Sequence, residues 1–355
     1  MHRNIMLVLV FNVFFSSAIV ISSHHWFTVW VGLEMNTLSV LPLLCFQFSP
    51  RNVESTVKYF LVQSFSAAII LNLALMQAWM YSSWSVVQSP NFFISSVLIM
   101  ALGLKMGLFP CHYWFPDVVQ GAGFLQGLLL STWQKVAPLV VLGYVCSADN
   151  SGVLLVMGAA SVLVGGWGGL NQTQTRKILA FSSIAHVGWI CVIMSYSFKV
   201  SLVMFLVYVI INTTVFLLSN EFRLSSLSMF GRLLNYNPVS GVLVILGVLS
   251  LGGLPPLFGF LIKFLALECL VCEGAYFLSF VLVLGSLISL FFYLRVGFNS
   301  SLIYFPQHSI SVFVWRSIML SGGANSPYVF MLSALAGFNL LGVLCAPLLV
   351  SLLNN

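Results

Sequence analysis

Residues 178–196 read ILAFSSIAHVGWICVIMSY, nineteen positions without one formal charge. Residues 5–22, IMLVLVFNVFFSSAIVIS, repeat that character near the start of the chain. An α-helix needs about 20 such residues to cross a hydrocarbon core of roughly 30 Å. Backbone N–H and C=O groups in that core find no water, so the segment must satisfy them itself, and a helix does so. A β-barrel would show strict alternation over segments of about 10 residues, and neither stretch alternates. Both therefore read as transmembrane helices.

The rest of the chain agrees. Of its 355 residues 60% are apolar, and only 6% are charged, 13 Lys or Arg against 7 Asp or Glu. A soluble domain carries roughly 25% charged residues, so this chain could not dress a water-facing surface. The composition excludes a soluble enzyme, a nucleic-acid reader and a disordered chain. The fold class is an all-α membrane protein, a single polytopic domain over residues 1–355. Its core runs over about 25–298, followed by a C-terminal loop and last helix over about 299–355. Apolar runs and their breaks predict eleven helices, at 4–22, 26–47, 55–81, 92–120, 122–146, 152–170, 176–196, 200–221, 238–273, 276–297 and 327–350. The first run follows Met1-His2-Arg3 directly and resembles a signal segment in placement. It is too long, and a second span follows closely, so it reads as a membrane helix.

Two of these segments are interrupted. One holds Pro110 and Pro116 within LFPCHYWFP, and the other holds Gly252-Gly253-Leu254-Pro255-Pro256 and then Gly259. Proline lacks the N–H and clashes with the preceding turn, so the helix breaks. Broken helices at membrane depth are tolerated where they line a cavity, and in transporters they mark ion sites. The loop charges support the count. Eleven spans put Arg3, Arg51, Arg176, Lys177, Arg223, Arg232, Arg295 and Arg316 on the N-terminal side, and Lys199 with Asp149 and Glu273 opposite. Basic loops stay on the side of synthesis, so the N-terminal side is predicted to be the cytoplasmic or matrix side. The excess of basic residues is thus a topology signal and needs no anionic partner.

Four charges fall at membrane depth: Glu34 in WVGLEMNTLS, Lys105 in ALGLKMGLFP, Lys135 in LLLSTWQKVAP and Lys263 in FGFLIKFLAL. A charge at the bilayer centre costs at least about 2.5–3.5 kcal/mol on insertion scales. A lysine near the interface snorkels to the headgroups, one beside a break bonds freed carbonyls, and a glutamate pairs two helices. The functional alternative is a proton path. Burial favours the neutral amine and a nearby carboxylate favours the ammonium, so a lysine beside Glu34 can be loaded and unloaded. Glu34 is the one carboxylate placed at membrane depth, so it is the natural partner of one of these lysines. His112 and His186 are candidate bridges, because a neutral imidazole offers one donor and one acceptor. His24 and His25 read as headgroup-level residues, and Asp117 as a water-side entrance or a cap.

Other motifs carry no chemistry. The glycines at 121, 123 and 127 lack dinucleotide-fingerprint spacing and a preceding strand. No Walker A sequence, Ser-His-Asp set or metal cluster is present in the sequence. The glycines at 103 and 107, and those at 165, 166, 168 and 169, suit close helix packing. Seven cysteines, an odd number mostly within spans, argue against a disulfide framework. The lone Cys269-Leu-Val-Cys272 reads as two packed thiols.

Five stretches together resemble one family: HWFTVWVGLEMNTLSVLPLL (25–44), KMGLFPCHYWFPDVVQG (105–121), LLLSTWQKVAP (128–138), GGWGGLNQTQTRKILAFSSIAHVGWI (165–190) and SLGGLPPLFGFLIKF (250–264). They are similar to the antiporter-like membrane-arm subunits of respiratory complex I, the mitochondrial NADH–ubiquinone oxidoreductase, and within these to the chain 2 group. The resemblance implies a proton-translocating subunit, with FMN, iron–sulfur clusters and ubiquinone on other subunits and no cofactor here. It implies a coupling pair at Glu34 and Lys105, a central lysine at Lys135, a far lysine at Lys263, and bridging histidines at His112 and His186. Its implied partners are other membrane-arm subunits, including a neighbouring antiporter-like one, and lipids. Its implied setting is the mitochondrial inner membrane, N-terminus to the matrix and C-terminus to the intermembrane space. Eleven helices rather than fourteen look like the shortened form of bilaterian animals. Cys111 stands where the family commonly has Phe, and Asp117 where it has Glu; residues 222–237 and 299–355 match weakly. A stand-alone cation/proton antiporter and an assembly scaffold are the alternatives.

Overall fold

The computed structural model describes residues 3–46, 48–86, 91–146, 152–230, 238–301 and 337. The helices are α1 (Arg3–Ser22), α2 (Trp26–Leu44), α3 (Pro50–Tyr81), α4 (Phe92–Met106), α5 (Trp114–Gly121), α6 (Phe124–Ser131), α7 (Val136–Val145), α8 (Gly152–Leu170), α9 (Thr175–Met194), α10 (Phe198–Glu221), α11 (Pro238–Gly252), α12 (Phe258–Cys272) and α13 (Tyr276–Ser301). Among the described residues eight helical stretches are long and apolar enough to cross a membrane, and α4 and α11 are shorter apolar helices. The predicted last helix, 327–350, lies outside the described residues except for residue 337, which is helical.

The helices form two compact units. The first comprises Met1–Val164 with Ser183–Phe198, the second Gly165–Ser182 with Lys199–Asn355. In the first, α1 packs on α2, α2 on α3, and α3 on both α4 and α5. A Cβ at Gly32 would stand 2.6 Å from Val20 Cγ2, so only glycine lets α2 approach α1 this closely. The later part of α9 is nearly all buried, with Ile184, Val187, Cys191, Val192 and Ile193 fully enclosed. It meets α8 through small residues. A Cβ on Gly158 would lie 2.6 Å from Val192 Cγ2, and one on Gly188 would lie 2.7 Å from the Gly158 carbonyl and closer still to Ser161 Oγ. Without a hydrophobic force between helices in lipid, such close contact supplies the packing energy. Gly188→Val is expected to destabilise the protein by ~1–3 kcal/mol through overpacking, read as a lower thermal midpoint of the detergent-extracted assembly.

In the second unit α11, α12 and α13 pack pairwise. The predicted close packing of the 165–169 glycines is present: Gly166 faces the Gly285 carbonyl, Gly168 the ring of Phe181 and Gly169 that of Phe292. Arg295 of α13 donates to the carbonyls of Leu170 and Gln172. These lie at and just beyond the C-terminus of α8, where free carbonyls and the helix dipole favour a cation.

Both predicted interruptions occur. The first separates α4 from α5, and α4 closes on Gly107 at φ 76°. The amides of Gly107 and Leu108 turn back to the carbonyls of Leu104 and Gly103 at 3.2 and 2.9 Å, a left-handed helix end that glycine permits. The second separates α11 from α12, with Gly253 at φ 82°.

Several expectations need correction. Residues 122–146 are not one plain helix: α6 and α7 are joined by a 3-10 turn, Trp133–Lys135. The physical cause is Pro138, whose missing N–H leaves the Gln134 carbonyl without its helical partner. Helix α2 ends at Leu44 rather than 47, and α3 starts at Pro50 rather than 55, capped by the Ser49 side chain. His25 is more than a headgroup-level residue. Its Nδ1 accepts the Phe27 amide at 3.3 Å and caps α2, and its ring stacks on Trp84 at 5.5 Å. Of the Cys269/Cys272 pair, which form no disulfide, Cys269 is half-buried and Cys272 is exposed at the end of α12.

Candidate proton relay

Glu34 stands on α2, half-buried. Thr37, one turn on, donates its hydroxyl to the Glu34 carbonyl at 2.8 Å and to the carboxylate Oε2 at 3.2 Å. Lys105 lies in the last turn of α4 and is 5% exposed. Its Nζ donates to the Gln63 carbonyl at 3.3 Å, and Gln63 Nε2 donates back to the Lys105 carbonyl at 3.2 Å. The break after α4 thus frees a carbonyl that α3 satisfies, and α3 returns a carbonyl to the ammonium. Glu34 is near enough to act electrostatically on Lys105. The two side chains do not touch; the ion pairs among the described residues both centre on Lys58. The expected Glu34–Lys105 pair is therefore not an ion pair in the structure.

Lys135 occupies the end of the 3-10 turn and is 2% exposed. Its Nζ donates to the Ser183 carbonyl of α9 at 3.5 Å and lies 4.6 Å from the centre of the Phe115 ring. A desolvated ammonium over an aromatic face gains from the ring quadrupole. His186, half-buried, follows Ser183 by three residues and so shares its face of α9. His112 is buried at the break between α4 and α5, and its ring packs against Tyr113 at 4.0 Å. Its Nδ1 donates to the Pro110 carbonyl at 3.1 Å, which leaves Nε2 as the acceptor of the neutral ring.

Glu34, Lys105, Lys135, His112 and His186 all belong to the first unit. Lys263 belongs to the second, where the interruption holds it. Its Nζ donates to the carbonyls of Gly252 and Leu251, at 3.0 and 3.3 Å, at the C-terminal end of α11. Gly259 makes this fit possible, because a Cβ there would collide with the Ser250 carbonyl.

Asp117 is exposed in the first turn of α5, 3.5 Å from Lys58 Nζ, which also pairs with Glu54 at 2.8 Å. Exposed pairs of this kind contribute little to stability. Sequence reading missed Gln63, Thr37, Ser183, and the uncharged polar set of Asn36, Tyr59 and Gln134. The available signal was an amide or hydroxyl within an otherwise apolar run, as in KYFLVQSFSA.

A family model described as NADH:quinone oxidoreductase/Mrp antiporter, TM, matches residues 23–289. The chain belongs to this family. Its relatives include NADH-ubiquinone oxidoreductase chain 2 of Patiria pectinifera, 61% identical over 354 residues and covering 100% of both chains. The chain 2 protein of Paracentrotus lividus is 46% identical over 355 residues, again covering 100% of both. Among solved structures, a chain of respiratory complex I from Thermus thermophilus aligns with TM-score 0.81 and 25% identity, over 98% of this chain and 80% of that one. A chain of the Mrp complex from Dietzia shares the fold, with TM-score 0.75 and 18% identity, over 82% of this chain and 59% of that one. The fold is that of the antiporter-like subunits of the family, as the five sequence stretches implied.

Proposed function

We propose that this chain passes protons within the membrane arm of mitochondrial NADH:ubiquinone oxidoreductase, with Glu34, Lys105, Lys135 and Lys263 as stations and His112 and His186 as bridges. Full-length likeness to chain 2 proteins sets the assembly: the chain is a membrane subunit of the proton-translocating oxidoreductase. FMN, iron–sulfur clusters and ubiquinone reside on other subunits, and another antiporter-like subunit lies alongside. The setting is the mitochondrial inner membrane, with the N-terminus in the matrix and the C-terminus in the intermembrane space, as the loop charges require.

One observation carries the reading. Buried Lys105 and Lys135 and half-buried Lys263 each donate to a main-chain carbonyl, and each contact involves a helix interruption: Lys105 ends α4, Lys135 lies in the 3-10 turn, and the carbonyls that hold Lys263 end α11. A carbonyl accepts from –NH2 as well as from –NH3+, so these lysines can lose a proton without stranding a carboxylate. Redox events elsewhere that alter the charge near Glu34 then bias Lys105, and the bias passes on to Lys135. Each pKa unit is worth about 1.4 kcal/mol, so shifts of a few units reverse the direction of transfer.

Two measurements test this. The chain is expected to co-migrate with a large NADH-oxidising assembly on a native gel; isolation as a separate active antiporter would overturn the assignment. In the assembled enzyme, Glu34→Gln is expected to lower coupled proton translocation on the order of tenfold, one pKa unit of lost bias. Glu34→Asp should recover part of it. Wild-type translocation in Glu34→Gln would remove the carboxylate from the mechanism.

A further inference from the structure

Gln134 precedes Lys135 in the 3-10 turn, and two helices hold its side-chain amide. The Tyr59 hydroxyl of α3 donates to Gln134 Oε1 at 3.3 Å, and Gln134 Nε2 donates to Asn36 Oδ1 of α2 at 3.0 Å. Tyr59 and Asn36 are 1% and 3% exposed. Asn36 lies two residues beyond Glu34, and Glu34 also acts electrostatically on Tyr59.

A single 3-10 turn has poor hydrogen-bond geometry and defines its own position weakly. Pro138 loosens it further. What fixes the turn must come from outside it, and an amide bonded at both its oxygen and its nitrogen has one orientation. We propose that Asn36, Gln134 and Tyr59 form an uncharged clamp that positions Lys135 and ties it to the helix carrying Glu34. This rests on Lys135 being a proton station. The three residues carry no proton themselves. They set how far the Lys135 ammonium sits from the Ser183 carbonyl and the Phe115 ring, and any movement of α2 around Glu34 reaches Lys135 through Asn36. A buried network of this kind acts as a unit: with one bond cut, the remaining polar atoms are left unmatched at membrane depth.

The test uses the whole oxidoreductase, reconstituted in liposomes, with electron transfer and assembly measured beside proton translocation. Tyr59→Phe and Asn36→Leu cut the clamp at opposite ends. Each is expected to slow translocation about fivefold, the weight of one neutral hydrogen bond, and to move the pH at which translocation is half-maximal. The double variant should be no worse than the poorer single one, because the clamp is already open. If Asn36→Leu does not assemble, Gln134→Leu cuts both bonds at once and reads the same quantities. Wild-type rates, or additive losses with an unmoved pH midpoint, would overturn the clamp. Lys135→Met belongs in the same series. If it pumps normally, the relay reading falls; if it fails while the clamp variants pump normally, the clamp alone falls.

Discussion

Lys135→Met is expected to assemble with its partners and to lose coupled proton translocation by on the order of tenfold or more. The replacement keeps length and apolar volume, so the space beside Phe115 stays filled and no cavity penalty arises. It removes a group whose burial has no packing purpose: an ammonium costs several kcal/mol to desolvate, and methionine costs none. Stability should therefore be unchanged or higher, while the relay loses its middle acid–base station. A rise in the barrier of about 1.4 kcal/mol already gives tenfold. Snorkelling or structural glue makes the reverse forecast, with assembly lost and translocation per assembled complex intact. Measuring assembled complex by native gel, and translocation per electron in proteoliposomes, separates the two.

Gly259→Val should be the most damaging single change in the second unit. At this position an added Cβ meets the Ser250 main-chain carbonyl, which is the body of α11 and not the flexible tip of a side chain. Relief requires α12 to back away from α11. That movement withdraws Lys263 from the carbonyls of Leu251 and Gly252 that hold its ammonium. The destabilisation should reach or exceed the upper end of the ~1–3 kcal/mol usual for overpacking, with the mature complex depleted on a native gel. Gly274→Ala is the natural control. That glycine sits in open space with φ 74°, so its substitution meets only a local backbone cost.

These two positions show what the sequence could reveal. Lys135 declared itself because no solvent-facing explanation suited a lysine amid so many apolar residues. Both helix interruptions were legible from proline and glycine, since those residues change backbone options directly. The 3-10 turn under Lys135 was not, because its cause is a proline three residues downstream that reads equally well as a helix-interior kink. The Glu34–Lys105 pairing was legible as a neighbourhood but not as a geometry. Two opposite charges in one membrane suggest contact, yet a glutamine carbonyl on a third helix competes for the ammonium. The amide clamp went unseen for a related reason: Asn36, Tyr59 and Gln134 carry no charge, and they are brought together only by the packing of α2, α3 and the turn. The glycine contacts between α8 and α9 lay in a composition that fits many helix pairs, so their partners became known only from the fold.

A map of the assembled complex at a resolution that shows ordered water tests the central claim most directly. The relay requires water bridging the Lys105 ammonium to the Lys135 ammonium through the interior of the first unit, continuous with the Glu34 carboxylate. Close-packed apolar side chains filling that interval, with no water between the two lysines, would contradict it.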